Sequence, residues 1–140
     1  MKKLISIITA IILTVSLVSC SGGISGDEAK NYINDFFDAV EVAAEDKDYV
    51  IAESFLHPDC PTKAEDLIES VAEAEDVDFS SIEIERYTNF RSAYYDSKVD
   101  GSVYSLTMNI SVSGESGKAE IELVNNDKGY GIHNIDIKFE

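Results

Sequence analysis

The apolar residues of this 140-residue chain change their spacing at about Phe79. Before it they recur at steps of three and four, and after it at steps of two. The first spacing puts side chains on one stripe of a helix, and the second puts them on one face of a strand. A chain that runs through one period and then the other separates its helices from its strands. The expected class is therefore α+β, with three N-terminal helices packed on a four-stranded antiparallel sheet.

The first helix is marked most clearly. Ala29, Tyr32, Ile33, Phe36, Phe37, Val40, Ala43 and Ala44 form the apolar stripe, and Asn31, Asn34, Asp35, Asp38, Glu41 and Glu45 fall between them. Ser25 and Glu28 have the S-x-x-E spacing of a capping box, and Asp27 and Glu28 suit the positive end of the helix dipole. The segment Glu45–Asp48 breaks the stripe. A short second helix follows, with Tyr49, Ala52, Phe55 and Leu56 on its buried side, and it ends at His57-Pro58 because proline restricts the residue before it. Thr62 and Glu65 predict a second capping box. Ala64, Leu67, Ile68, Val71 and Ala72 then define a third helix.

Ile82 and Ile84 open a first strand expected to run to about Phe90, and Arg91–Gly101 reads as a long connection. Tyr104, Leu106, Met108, Ile110 and Val112 alternate with polar residues to give the clearest strand. Turns are expected at Ser113–Gly117 and Asn125–Gly129, with Ala119, Ile121 and Leu123 lining the strand between them. The last strand slips phase: Tyr130 and Ile132 share one parity, and Ile135, Ile137 and Phe139 share the other. One extra residue near His133-Asn134, a β-bulge, would return both sets to one face.

Residues 1–20 carry a different signal. Lys2 and Lys3 precede 15 uncharged residues, Leu4 to Val18, interrupted by Ser6, Thr9, Thr14 and Ser16. That is short for a membrane span of about 20 apolar residues and suits a secretory signal. The following Leu17-Val18-Ser19-Cys20 resembles the lipobox of bacterial lipoproteins. The resemblance implies a signal peptide over residues 1–19, diacylglyceryl attachment at Cys20, and cleavage before it. Localisation would then be the extracytoplasmic face of a bacterial membrane, with the bilayer as partner through the anchor. Residues 20–26 form a flexible Ser/Gly tether, which leaves residues 27–140 as one domain.

Removing residues 1–19 takes away Lys2 and Lys3 and no acids, so nine basic residues face 27 acids and the formal charge is −18. The basic residues are scattered, which excludes nucleic acid as a partner, because binding it needs clustered cations. The same acidity predicts that the tethered domain hovers off anionic headgroups rather than docking on them. Once Cys20 is acylated, Cys60 has no disulfide partner and is expected to be a buried structural thiol.

Residues 29–40 and the stretch from Asp48 to Pro58, with its acidic-aromatic start and A-x-x-[FL]-L turn, resemble the small NTF2-like (cystatin-like, α+β cone) domains of bacterial lipoproteins. The resemblance covers nearly all of residues 27–140 and implies a cavity between helices and sheet. Its lining would draw on Tyr32, Phe36, Tyr104, Met108 and His133 and would hold a small molecule, or the open sheet face would hold an envelope protein. Enzymes of this superfamily use a cavity histidine as base, so a catalytic His133 is the alternative, and a purely structural envelope protein is a third reading. His57, at a helix end, suits capping or exposure. No catalytic, cofactor-binding or metal-ligating set stands out, because no zinc, calcium, phosphate-loop or dinucleotide spacing occurs. The expectation is a non-catalytic binding module without a cofactor.

Overall fold

The computed structural model describes residues 24–140, and the expectations about residues 1–23, including Cys20, lie outside the described residues. Within them the order is α1 (Gly26–Asp46), α2 (Val50–Glu53), α3 (Ala64–Glu75), β1 (Ile82–Asp96), β2 (Gly101–Val112), β3 (Glu115–Asn126) and β4 (Gly129–Phe139). The strands form an antiparallel meander in the order β1-β2-β3-β4. The α+β class with helices preceding a four-stranded antiparallel sheet holds.

The capping box sets where α1 begins. The Glu28 backbone N–H donates to Ser25 Oγ at 3.2 Å, and Glu28 Oε2 accepts the Ser25 N–H at 3.4 Å. The helix ends at Lys47, whose φ of 56° takes the chain out through the left-handed region. Tyr32, Ile33, Phe36, Phe37 and Val40 are buried against Leu106, Met108, Ile110, Ile121, Leu123 and Ile132 of the sheet, with Ala52 and Phe55 closing one end. These apolar faces are what each element brings to the other. Truncating a residue such as Phe36 should cost about 3–5 kcal/mol.

The second capping box does not form. Lys63, not Thr62, is the N-cap of α3 and makes no side-chain cap. The Ala64 N–H is instead satisfied by Glu53 Oε2 at 2.6 Å, so α2 caps α3 through space.

The first strand is longer than expected, and the predicted long connection at Arg91–Gly101 is mostly strand. The reason lies in the register with β2, which shifts between Ile84 and Arg86, between Tyr87 and Asn89, and between Ala93 and Asp96. Extra residues at these points break the period of two, so Ile82, Ile84, Tyr87 and Phe90 share a face at uneven spacing. Both expected five-residue turns are also tighter than that. Ser113 and Gly114, at φ 51° and 85°, form a two-residue turn of the primed kind that suits strand twist. Asp127 and Lys128 alone lie between β3 and β4.

The bulge in β4 is present. Glu122 pairs with Asn134 and Leu123 with Ile132, which leaves His133 as the extra residue. Beside it, Leu56 makes a parallel bridge with Ile132, through His57 N–H to Ile132 O at 2.8 Å and Ile132 N–H to Phe55 O at 2.9 Å. The α2–α3 connection is thereby fastened to the sheet edge. Gly131 permits this approach, because a Cβ there would lie 2.6 Å from His57 N and 2.8 Å from the Leu56 carbonyl carbon. Val103 and Val124, opposite each other in β2 and β3, are buried although their parity puts them on the face away from the helices.

Candidate functional site

Four of the five residues expected to line a cavity belong to one apolar cluster. Tyr32, Phe36 and Met108 are fully enclosed, and Tyr104 lies at the cluster's margin. The Tyr32 ring meets Phe55 and Tyr130 edge-on, with centroids 5.1 and 4.8 Å away, and its hydroxyl donates to Phe55 O at 2.8 Å. Burial, then the nearby Tyr130, pushes the Tyr32 pKa far up. The Tyr130 hydroxyl is buried with no hydrogen-bond partner among the described residues. The fifth residue, His133, is directed elsewhere, toward the other face of the sheet.

Two surfaces outside the core gather functional groups. The first is a groove of about 300 Å³ lined by Lys30, Tyr87, Thr88, Asn89, Phe90, Tyr104 and Leu106. Here the first turns of α1 lie along the middle of β1. Tyr87 Oη donates to Asn34 Oδ1 at 3.0 Å, and Lys30 Nζ stands 5.3 Å from the Tyr87 ring centroid, within cation–π range. Burial pushes the Tyr87 pKa up to about 12. Phe90 stacks on Tyr104 with an interplanar angle of 12°. The groove therefore offers flat aromatic rings, one ammonium and an amide, a set able to hold a small ligand with an apolar body and a polar or anionic edge.

The second surface is a polar row across the sheet face away from the helices. Arg91 Nη2 lies 3.5 Å from Glu122 Oε2, and His133 Nδ1 lies 3.5 Å from Glu122 Oε1. The His133 ring then meets His57 edge-on at 5.8 Å. His57 is only 2 % exposed, so the expected capping or solvent role is corrected. Its Nδ1 accepts the Asp59 N–H at 3.0 Å, so the ring proton sits on Nε2, which donates to Asn126 Oδ1 at 2.9 Å. Asn126 Nδ2 in turn donates to Val99 O at 2.8 Å. This chain of bonds joins the Pro58 loop, the β3–β4 turn and the β1–β2 turn, and both His57 nitrogens are engaged in it. Lys128 Nζ adds a pair with Asp59 at 3.0 Å, which holds that carboxyl below its ordinary range.

Cys60 is half-buried rather than enclosed. Its thiol contacts Thr62 O at 3.4 Å, and burial pushes its pKa up. No group of three or more His, Cys, Asp or Glu side chains among the described residues is arranged to hold a metal.

Sequence reasoning did not single out Lys30, Asn89, Glu122 or Asn126. Glu122 could have been found, because it alternates with Ile121 and Leu123 and so must share a face with a residue re-aimed by the bulge. Lys30 and Asn89 come together only through the packing of α1 on β1, which no local pattern encodes. No family model matches the chain, and neither a curated protein nor a solved structure does.

Proposed function

We propose that the chain is a bacterial lipoprotein acylated at Cys20, whose domain is a non-catalytic binding module on the extracytoplasmic face of the membrane. The observation that carries this reading is the adjacency of two signals. The Leu17-Val18-Ser19-Cys20 stretch ends five residues before Ser25, the cap from which the folded domain starts. A short Ser/Gly tether is all that lies between a lipidation sequence and a self-contained core. That suits a domain held at a bilayer by acyl chains, which anchor stably when two or more are present. Among the described residues no helix is long and apolar enough to cross a membrane. The order of three helices and a four-stranded meander is compatible with an NTF2-like cone.

The groove beside Tyr87, Phe90 and Tyr104 is the ligand surface of this reading, and the ligand is a small molecule or an envelope protein. Engagement of both His57 nitrogens supports a non-catalytic role. A second reading rests on one distance, His133 Nδ1 to Glu122 Oε1, which gives His133 the carboxylate partner that a general base uses.

The address is tested by a Cys20→Ser variant of the full chain, followed for lipid labelling and membrane fractionation. Loss of both label and membrane retention is expected, and unchanged retention of an unlabelled protein refutes the anchor. Ligand binding is tested by thermal-shift screening of cell extracts against the wild type and Phe90→Ala. Hits that shift the wild type and not the variant support the groove. A hit lost in His133→Gln and turned over by the wild type would favour the enzyme.

A further inference from the structure

The four large apolar residues that stand exposed among the described residues are unevenly placed. Val50 is 75 % exposed in α2, while Phe90, Tyr94 and Tyr95, at 66, 81 and 60 %, all lie on the β1–β2 hairpin. That hairpin also departs from the charge of the chain. Residues 86–102 hold three basic side chains, Arg86, Arg91 and Lys98, against two acids, Asp96 and Asp100, in a protein whose formal charge is −16. Both arginines of the sequence are in it.

Its position relative to the start of α1 is fixed by contacts. Tyr87 of β1 reaches Lys30 and Asn34 in α1. Further along, Tyr104, opposite Ser92, lies against Gly26, where a Cβ would be 2.9 Å from its hydroxyl. Moving from Tyr87 to Ser92 along β1 therefore parallels moving from Asn34 back to Gly26 along α1. The hairpin continues in that direction, so Tyr94, Tyr95 and the turn after them extend past the helix start by roughly 10 Å at 3.3 Å per residue. They extend toward the side from which the chain arrives. Four residue steps separate Ile24 from Cys20, and even fully extended they span no more than about 14 Å. The overhang of the hairpin and the reach of the tether are thus of the same size.

We propose that Tyr94 and Tyr95, with Phe90 behind them, seat in the headgroup region of the same bilayer that carries the Cys20 anchor, fixing how the domain stands on the membrane. This rests on the lipoprotein reading above. It replaces the expectation of a hovering domain, because over residues 86–102 Asp96 and Asp100 are balanced by Arg86, Arg91 and Lys98. Tyrosine suits that depth, where an apolar ring and a polar tip are both satisfied. That near balance of charge weakens the repulsion that the rest of the surface would meet.

The chain contains no tryptophan, so single-tryptophan variants report cleanly. Full-length Tyr94→Trp, Tyr95→Trp and Val50→Trp proteins are purified from membranes and reconstituted into phosphatidylcholine vesicles with brominated acyl chains. Val50 comes four residues after the end of the 21-residue α1, an end roughly 30 Å from the helix start, and serves as the control. The expected result is that tryptophan at 94 or 95 loses most of its emission and shifts to the blue, while tryptophan at 50 loses none. Equal emission at 94, 95 and 50 in vesicle-bound protein overturns the proposal, as does a blue shift at 94 or 95 that appears on self-association in lipid-free detergent and goes with no quenching in the vesicles, which would assign the hairpin to a second copy. Intact mass of the same samples reads acylation separately. An unacylated but membrane-bound protein refutes the lipoprotein reading, while its quenching still decides the hairpin. An acylated protein without quenching refutes the hairpin alone.

Discussion

Tyr32 and Tyr130 share one ring contact but differ at their hydroxyls. The Tyr32 hydroxyl donates to Phe55 O, whereas the Tyr130 hydroxyl is enclosed without a partner. Removing an unsatisfied buried hydroxyl relieves its desolvation cost, and removing a satisfied one forfeits a bond. Tyr130→Phe should therefore leave stability unchanged or raise it by up to about 1 kcal/mol, and Tyr32→Phe should lower it by about 1 kcal/mol. Urea unfolding midpoints at constant slope separate the two. The histidines give a second contrast. His57→Ala removes a buried ring together with its bonds to the Asp59 N–H and Asn126 Oδ1, for a loss of about 2–4 kcal/mol. His133→Ala, at a partly exposed site, should cost less than about 1 kcal/mol. Equal losses in the two variants would show that the His57 bonds contribute nothing special.

At the scale of elements, the bulge in β4 is the sharpest case. Deleting His133 removes the extra residue and leaves Tyr130, Ile132, Ile135, Ile137 and Phe139 in one unbroken alternation against β3. Both sets then stay on the core face without a bulge, so the deletion should retain cooperative unfolding, as read by circular dichroism during thermal melts, whereas inserting a second residue there should abolish it. That bulge was legible because both flanks are strongly apolar and their parities conflict. The bulges in β1 were not, because Ser, Thr, Asn and Arg around Tyr87 and Phe90 leave too few apolar markers to count. Helix α1 showed its cap and stripe locally. The start of α3 did not, since its first N–H is satisfied by Glu53, eleven residues earlier. Among the site residues, those fixed by parity were readable, and those joined by packing, such as Lys30 with Tyr87 or His57 with Asn126, were not.

The whole molecule is acidic, and its response to pH has two sides. Asp59, Glu69 and Asp78 have carboxyls held below their ordinary range by hydrogen bonds, from Lys128, from Tyr49 and Lys47, and from Ser80 respectively. Their folded values lie below the unfolded ones, so their contribution is present above the unfolded range and lost as pH falls through the folded value. All three are exposed, so the loss is small. The tyrosines act in the opposite sense. Tyr87 is pushed up to about 12, and burial raises Tyr32 and Tyr130 as well. Their contribution is complete below the unfolded value of about 10 and lost as pH rises through the folded ones. Stability should therefore fall steeply above pH 10, with the tyrosinate absorbance of the buried tyrosines appearing together with unfolding rather than before it. Raising salt from about 0.05 to about 0.5 M should increase the melting temperature by screening the net negative charge.

The meander pairs each strand with its neighbour in sequence, whereas α1, apart from its contacts with Ala52 and Phe55, packs its apolar stripe on strands that begin more than fifty residues after the helix does. A ribosome delivers the greasy stripe of that helix long before the surface meant to shield it exists. Nucleation should accordingly start in the C-terminal hairpins, whose loop closures are short, with the helix condensing last. For the interval between, the apolar stripe of the helix stands open to water and to other chains.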